Sequence, residues 1–403
     1  MSAPDRAARL AALIAADADP SDQPRPTAEI PTWTALAAVG SRLWLDTGDL
    51  AAAGTLWCPA FSGLTTNNTL LNKEVQTGAY DGFIPKVAAL LGDLDERERI
   101  LEIAFALNAR HGLRLVRRFA CQVSVELHTD LADDAPRSIA YGLRYHAICP
   151  ERFIVKLPFT AAGLIAAREL ARRSVTINFT LGFSARHNHL AAVFARPAFV
   201  NVFLGRLNAY VIDNKLGDGN LVGEKALLAS QRAIAGTGSR QIAASLRSPQ
   251  QVRDIAGVDV YTMPTAVAEG AAKLPAQWTS RRDEDYAVSF AADPAVLRSD
   301  VLWAVTPRER AFAAALAMDP PATAFELIAR AHAAGCGDIF PRLDEADRAR
   351  IAADGKIPKH AAWSARVTQG ELGIDTLLNL AGLASFTADQ AALDARIRRF
   401  AAK

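Results

Sequence analysis

From residue 41 to residue 263 the chain repeats one rhythm: a short apolar run, a turn, a longer stretch with helical spacing, then another apolar run. The runs fall at 42–46, 63–67, 120–127, 153–158, 175–181, 199–204, 241–247 and 258–263. Between them lie amphipathic stretches. One is 96–109, where Ile100, Ile103, Ala104 and Leu107 recur at helical spacing; another is 161–173, with Thr160 placed to cap it. Strands joined through helices run parallel, because the crossover carries the chain back to its starting side. Eight such units predict an α/β fold, a (β/α)8 TIM barrel, with an open doubly wound sheet as the alternative. The expected division is a helix and linker over 1–33, a barrel over 34–274 and a mainly α-helical segment over 275–403. Within the first part, 6–16 reads as a helix and 20–31 as a linker rich in proline and aspartate.

The alternation inside the runs carries chemical information. A parallel strand covered on both faces is expected to be apolar on both. Several of these are polar on one: Gln122, Ser124 and Glu126 share a face, as do Thr176, Asn178 and Thr180, while Asp46 shares the face of Trp44 and Arg247 that of Ala243 and Ser245. Asp46, Asn67, Glu126, Lys156, Thr180 and Arg247 all fall near C-terminal strand ends, the end of a barrel on which active sites are built. Lys156 stands inside Arg152-Phe-Ile-Val-Lys-Leu-Pro158, a run bounded by Pro150 and Pro158. A lysine buried there loses solvation, which favours the neutral, nucleophilic amine that Schiff-base chemistry requires. Read alone, it is an ordinary lysine with its ammonium reaching solvent.

Bulk properties narrow the function. The 403 residues carry 45 basic and 43 acidic side chains, so no charge excess favours nucleic acid or a membrane surface. No apolar run is long enough to span a membrane, and a cytoplasmic protein is expected. Cys58, Cys121, Cys149 and Cys336 are widely spaced and read as reduced thiols rather than a disulfide frame or zinc site. His187 and His189 lack a third ligand at metal spacing and read as structural or solvated; no metal and no cofactor is expected. The charged run 93–99 reads as a helix start with acidic residues in its first turn, and Gly217-Asp-Gly219 as a turn after the sixth strand.

Fragments of seven strands, in order, resemble the transaldolase family of class I aldolases. They are Leu43-Trp-Leu-Asp-Thr47 with Asp49-Leu50, Leu64-Thr-Thr-Asn67, Val123-Ser-Val-Glu126, Val155-Lys-Leu-Pro158 with Thr160 and Gly163, Ile177-Asn-Phe-Thr-Leu181 with Phe183-Ser184, Phe203-Leu-Gly-Arg206 and Ala244-Ser-Leu-Arg247. The stretch 382–396, with Phe386 three residues before Asp389, resembles the family's barrel-closing helix, expected near 382–400. The resemblance implies roles. Lys156 would form the Schiff base, and Asp46 would take the proton from the hydroxyl whose carbon–carbon bond breaks. Glu126 would move protons through a water held by Thr180. Asn67 and Asn178 would hold a dihydroxyacetone moiety, and Arg206 and Arg247 a distal phosphate. Taken singly, these residues read as solvated carboxylates, turn or capping residues and structural ion pairs; their joint order favours catalysis.

The related fructose-6-phosphate aldolases carry glutamine at Glu126 and tyrosine at Phe203, so both positions here are of the transaldolase type. The expected function is therefore transfer of a three-carbon unit from a ketose phosphate to an aldose. An aldolase acting with free dihydroxyacetone and a non-catalytic sugar-phosphate-binding barrel are the alternatives. Sugar phosphates are the expected partners, and the family's self-association implies a homo-oligomer, a dimer first. Three departures stand out: Asn68 where the family has proline, Asn201 where it has serine near the phosphate, and the stretch 275–359, which resembles nothing in the family.

Overall fold

The computed structural model describes residues 3–16, 28–291 and 293–401. Eight strands run β1 Arg42–Asp46, β2 Phe61–Thr65, β3 Gln122–Glu126, β4 Phe153–Pro158, β5 Ile177–Thr180, β6 Phe199–Phe203, β7 Arg240–Ala244 and β8 Val260–Met263. They pair in parallel and in sequence order, and β8 pairs with β1, so the sheet closes into a TIM barrel. The open-sheet alternative is excluded.

The helices before and within the barrel are α1 Ala3–Ala15, α2 Pro31–Ala38, α3 Leu50–Leu56, α4 Asn68–Gln76, α5 Ile84–Ala88, α6 Glu96–Phe119, α7 Ala135–Ile148, α8 Ala161–Arg172, α9 Ala185–Phe194, α10 Leu204–Asp213, α11 Val222–Ala233, α12 Pro249–Asp254 and α13 Thr265–Ala271. Those after it are α14 Pro294–Leu297, α15 Pro307–Met318, α16 Ala324–Ala333, α17 Glu345–Asp354, α18 Ser364–Thr368 and α19 Ile374–Ala401. Local signals set many of these starts. Thr160 accepts from the Gly163 amide and caps α8, and Asp95 accepts from Glu98 and caps α6. Helix α6 runs ten residues past its expected end at 109. The linker expected at 20–31 lies outside the described residues up to 27, and Pro31 opens α2. Gly217 and Gly219 lie between α10 and α11, within the connection from β6 to β7.

The strand interior is apolar at the bottom and polar at the top. Near the bottom the Trp44 indole meets the Phe199 ring edge-on, centroids 4.9 Å apart. This ring needs Gly63 on the neighbouring strand, because a Cβ there would stand 2.7 Å from the Trp44 Nε1. One step toward the C-terminal end, Asp46 pairs in register with Thr65. Across the barrel Glu126 pairs with Lys156 and Lys156 with Asn178, which places three polar side chains abreast on one face.

After α13 the chain passes beneath the barrel. The Trp278 Nε1 donates to the Thr32 carbonyl, and Arg282 reaches the Gly257 carbonyl and Asp259 at the start of the β8 strand. Helices α15 and α16 then pack on α9 and α8, and α19 returns across the C-terminal face. A buried charge cluster anchors that return. Arg186 of α9 donates to Asp375 through two nitrogens at 2.8 Å, to Asp338 at 2.9 Å and to Glu309 at 3.0 Å. Burial opposes charge on both members of the central pair, yet their attraction wins: Arg186 is held charged and Asp375 lies well below the ordinary carboxylate range. His187, stacked on Phe159, stands 3.2 Å from Asp375, and burial brings it down to about 4. Thus His187 is structural, and His189 meets the Ala233 carbonyl.

Replacing Arg186 with methionine leaves the buried Asp375 without its guanidinium, while Asp338 keeps Arg298 and Glu309 keeps Thr306. Such broken buried pairs cost about 3–5 kcal/mol. We expect a corresponding drop in urea stability and early protease cleavage between α14 and α19. Acidification acts in the same direction. His111 and His187 sit at about 4 when folded, against 6.5 ordinarily, so the unfolded chain takes up protons first. Through these two histidines stability is expected to fall as pH drops from 6.5 toward about 4. The depressed Asp375 carboxyl extends the loss further into acid. A urea midpoint that stays constant from pH 7 to pH 4 contradicts this account.

Candidate functional site

A cavity of about 230 Å³ opens at the C-terminal ends of the strands. Its wall includes Asp46, Asn67, Lys156, Asn178, Asn201, Phe203, Arg206 and Arg247, so eight of the ten residues expected from the sequence meet in one place. Glu126 and Thr180 do not line it; both are buried beside the lysine strand. Two expectations about strand geometry are corrected. Asn67 lies two residues beyond β2 and caps α4, accepting from the Leu70 amide at 2.8 Å. Its oxygen is thereby committed and its amide nitrogen is the group left for a ligand. Arg247 lies three residues beyond β7. Ser245 adopts φ +63°, which breaks the alternation, so Ile242, Ala244 and Ser245 line the cavity with Arg247, while Ala243, expected on Arg247's face, does not.

Lys156 is buried, with its Nζ donating to the Thr66 carbonyl at 3.1 Å and standing 3.1 Å from the Glu126 Oε2. That oxygen is near enough for an ion pair but lacks a well-aligned donor, and the buried Thr180 hydroxyl also lacks a protein partner. Burial pushes Glu126 above the ordinary carboxylate range; Lys156 opposes the shift and Asp46 adds to it. Burial likewise raises Asp46, against Lys156 and a 2.7 Å hydrogen bond from the Thr65 hydroxyl. With its proton given to Asp46, Thr65 must accept from its other neighbour, the Thr262 hydroxyl. The lysine thus lies among two carboxyl groups whose proton affinities are both raised. Carboxyl groups shifted in this way beside an amine are candidates for proton exchange.

The amide ladder beside the lysine is continuous. The Gly182 amide donates to Asn201, Asn201 donates to Asn178, and Asn178 donates to the Ser124 hydroxyl. Asn201, which departs from the family pattern, holds Asn178 and the β5–α9 turn together. At the far side stand the two arginines. The Arg206 Nη1 is buried and has no partner, while burial and the charge of Arg247 bring that guanidinium down to about 10. The Arg247 stem lies against Gly205, where a Cβ would stand 2.7 Å from its Cγ. Its backbone amide donates to Gln251, which in turn donates to the buried Glu224. An unpaired guanidinium facing a cavity is a ready anion site.

Sequence reasoning missed several wall residues: Thr65, Thr262, Lys73 and Lys356, together with the place of Phe386. Phe386, on α19, lies 5.9 Å from the Lys156 Nζ and 5.6 Å from the Arg206 Cζ, and so forms the lid of the pocket. The same helix explains Asn68. Its amide donates to Gln390 at 2.6 Å, a bond the proline of the family pattern could not make. Among the described residues no cluster of three or more His, Cys, Asp or Glu is placed to hold a metal, and no helix is long and apolar enough to cross a membrane.

Fold and pocket define a (β/α)8 barrel protein with a lysine-centred, cation-rich cavity at its C-terminal face. The family model for transaldolase/fructose-6-phosphate aldolase matches residues 43–305. The chain belongs to this family. It is 34% identical over 241 residues to a probable transaldolase of Thermus thermophilus, covering 58% of this chain and 91% of that protein. A transaldolase of Xanthomonas euvesicatoria is 27% identical over 277 residues, covering 62% of this chain and 85% of that protein. The family match reaches past α14 into the stretch that resembled nothing in the family, but stops short of α15.

The Thr65 bond lowers the proton affinity of Asp46. In Thr65→Val that donor is gone, so the Asp46 carboxyl is expected to titrate at a higher pH than in the wild type. The carbon-13 shift of its Cγ reads this directly. An unchanged titration would mean that the hydroxyl does not bear on the carboxyl.

Proposed function

We propose that the protein is a transaldolase that moves a dihydroxyacetone unit from a ketose phosphate to an aldose acceptor through a Schiff base on Lys156. The observation that carries this reading is the arrangement around one buried amine: a carboxylate at 3.1 Å, a second raised carboxyl in the same pocket, and two arginines across it. The family and the transaldolase-named relatives support it.

In this reading the Lys156 amine attacks the ketose carbonyl carbon, and loss of water from the adduct gives an iminium. Glu126, with the Thr180 hydroxyl, hands the protons this requires between nitrogen and oxygen. Asp46 takes the proton from the hydroxyl on the far carbon of the bond that breaks, the carbon that becomes the aldehyde. The bonding pair moves into the iminium as an enamine, and the aldehyde leaves. An incoming aldose then accepts the enamine carbon by the reverse steps, with Asp46 returning the proton. Asn67, Asn178 and Asn201 supply donors and acceptors for the three-carbon unit, Phe203 and Phe386 close its apolar side, and Arg206 with Arg247 receives the phosphate. Because Glu126 is a carboxylate rather than an amide, it can exchange protons in both half-reactions.

Borohydride reduction in the presence of fructose 6-phosphate is expected to leave a three-carbon adduct on Lys156, read by intact mass and peptide mapping, and none in Lys156→Met. Adding an aldose phosphate before borohydride should discharge the adduct; release of free dihydroxyacetone instead would identify an aldolase. Turnover needs Asp46 ionised, and burial has raised its proton affinity. Activity should therefore fall on acidification at a pH above the ordinary carboxylate value of about 4. No adduct on the folded protein with any ketose phosphate would overturn the reading.

A further inference from the structure

The helical segment after the barrel also contributes to the cavity. Lys356 lines it, although it lies more than ninety residues past β8 and outside the stretch matched by the family. Its position is set by a docked loop. Helix α17 ends at Gly355, whose φ of +74° turns the chain inward. The next residues are fastened to α10: the Asn214 amide donates to the Pro358 carbonyl at 3.0 Å, the His360 amide donates to the Asn214 side chain at 2.8 Å, and the Tyr210 hydroxyl bonds the His360 Nδ1 at 2.6 Å. His360 and Tyr210 are buried, so the anchor is fixed while Lys356 itself remains exposed. Among the described residues no carboxylate pairs with it.

The same helix, α10, carries Arg206 in its first turn, and Arg247 packs against that turn at Gly205. Lys356 therefore enters the cavity from the side of the two arginines. The wall there is strongly biased in charge: Lys73, Lys156, Arg206, Arg247 and Lys356 face a single lining carboxylate, Asp46. We infer that Lys356 is a third cation for the terminal phosphate of the substrate, so that the helical segment builds part of the substrate site. This rests on the sugar-phosphate reading given above. A flexible ammonium adds charge without the fixed geometry of a guanidinium, which suits a group that meets the phosphate at the mouth and follows it inward.

The test compares full-length wild type, Lys356→Met and Lys359→Met. Lys359 is equally exposed and only three residues away, but does not line the cavity. Inorganic phosphate binding is measured by calorimetry, and the concentration dependence of borohydride trapping is measured with fructose 6-phosphate and with unphosphorylated dihydroxyacetone. Lys356→Met is expected to weaken phosphate about fivefold and to raise half-saturation for fructose 6-phosphate by a similar factor. The dihydroxyacetone curve should not move, and Lys359→Met should match wild type throughout. The inference is overturned by wild-type phosphate affinity in Lys356→Met, by no phosphate binding in wild type, by an equal loss in Lys359→Met, or by an equal shift with dihydroxyacetone. If wild type traps neither ketone, the catalytic reading fails, while the phosphate comparison still decides the role of Lys356.

Discussion

The arrangement of the barrel mouth depends on one buried charge pair, Arg186 with Asp375. Both side chains are removed from water, and a charge in that position is tolerated only when its partner and its remaining hydrogen bonds are supplied together. Arg186 stands on α9, directly after the fifth strand, and Asp375 opens α19, so the pair sets where the last helix starts. From there α19, about 40 Å long at 1.5 Å per residue, has only one course across the C-terminal face. Asn379 bonds the Leu181 carbonyl, Gln390 accepts from Asn68, and Arg396 reaches Asp81 beside α5. Phe386 is brought over Lys156 because both ends of its helix are held by polar contacts.

Within the barrel, burial and compensation divide the interior into two zones. Trp44 and Phe199 fill the lower zone by shape, with the Trp44 Nε1 buried and without a partner. The upper zone holds Asp46, Glu126, Lys156 and Asn178, which are stable there only because each answers another: lysine to carboxylate, threonine to carboxylate, amide to amide. The raised proton affinities of Asp46 and Glu126 follow from the same burial that protects the site from bulk water. Among the buried atoms that lack protein partners, those on Glu126, Thr180 and Arg206 belong to the residues around Lys156.

Much of this was legible from residue order. The period of two put Glu126 and Asn178 on the polar faces of their strands, and the strand registers of the fold set both beside Lys156. Thr160 was read as a cap, and the run 93–99 as an acidic helix start, from local chemistry. The errors fall where the backbone leaves its regular form. Asn67 and Arg247 were counted as strand residues because nothing in the apolar pattern marks the N-cap at one or the left-handed Ser245 before the other. Lys73 and Lys356 gave no signal, since an exposed lysine on a helix or loop looks alike whether it faces solvent or a cavity.

The sequence by itself determined the barrel, its strand order and the lysine with its two carboxylates, because these rest on short-range periodicity and on motifs contained within single strands. Tertiary structure alone decided what covers the barrel. The contacts that matter there join Arg186 to Asp375, Asn68 to Gln390 and Tyr210 to His360, pairs separated by 150 to 322 residues. No local pattern encodes such a pairing: each side chain is unremarkable on its own element, and only the folded path brings a buried charge or amide to the one partner that can satisfy it.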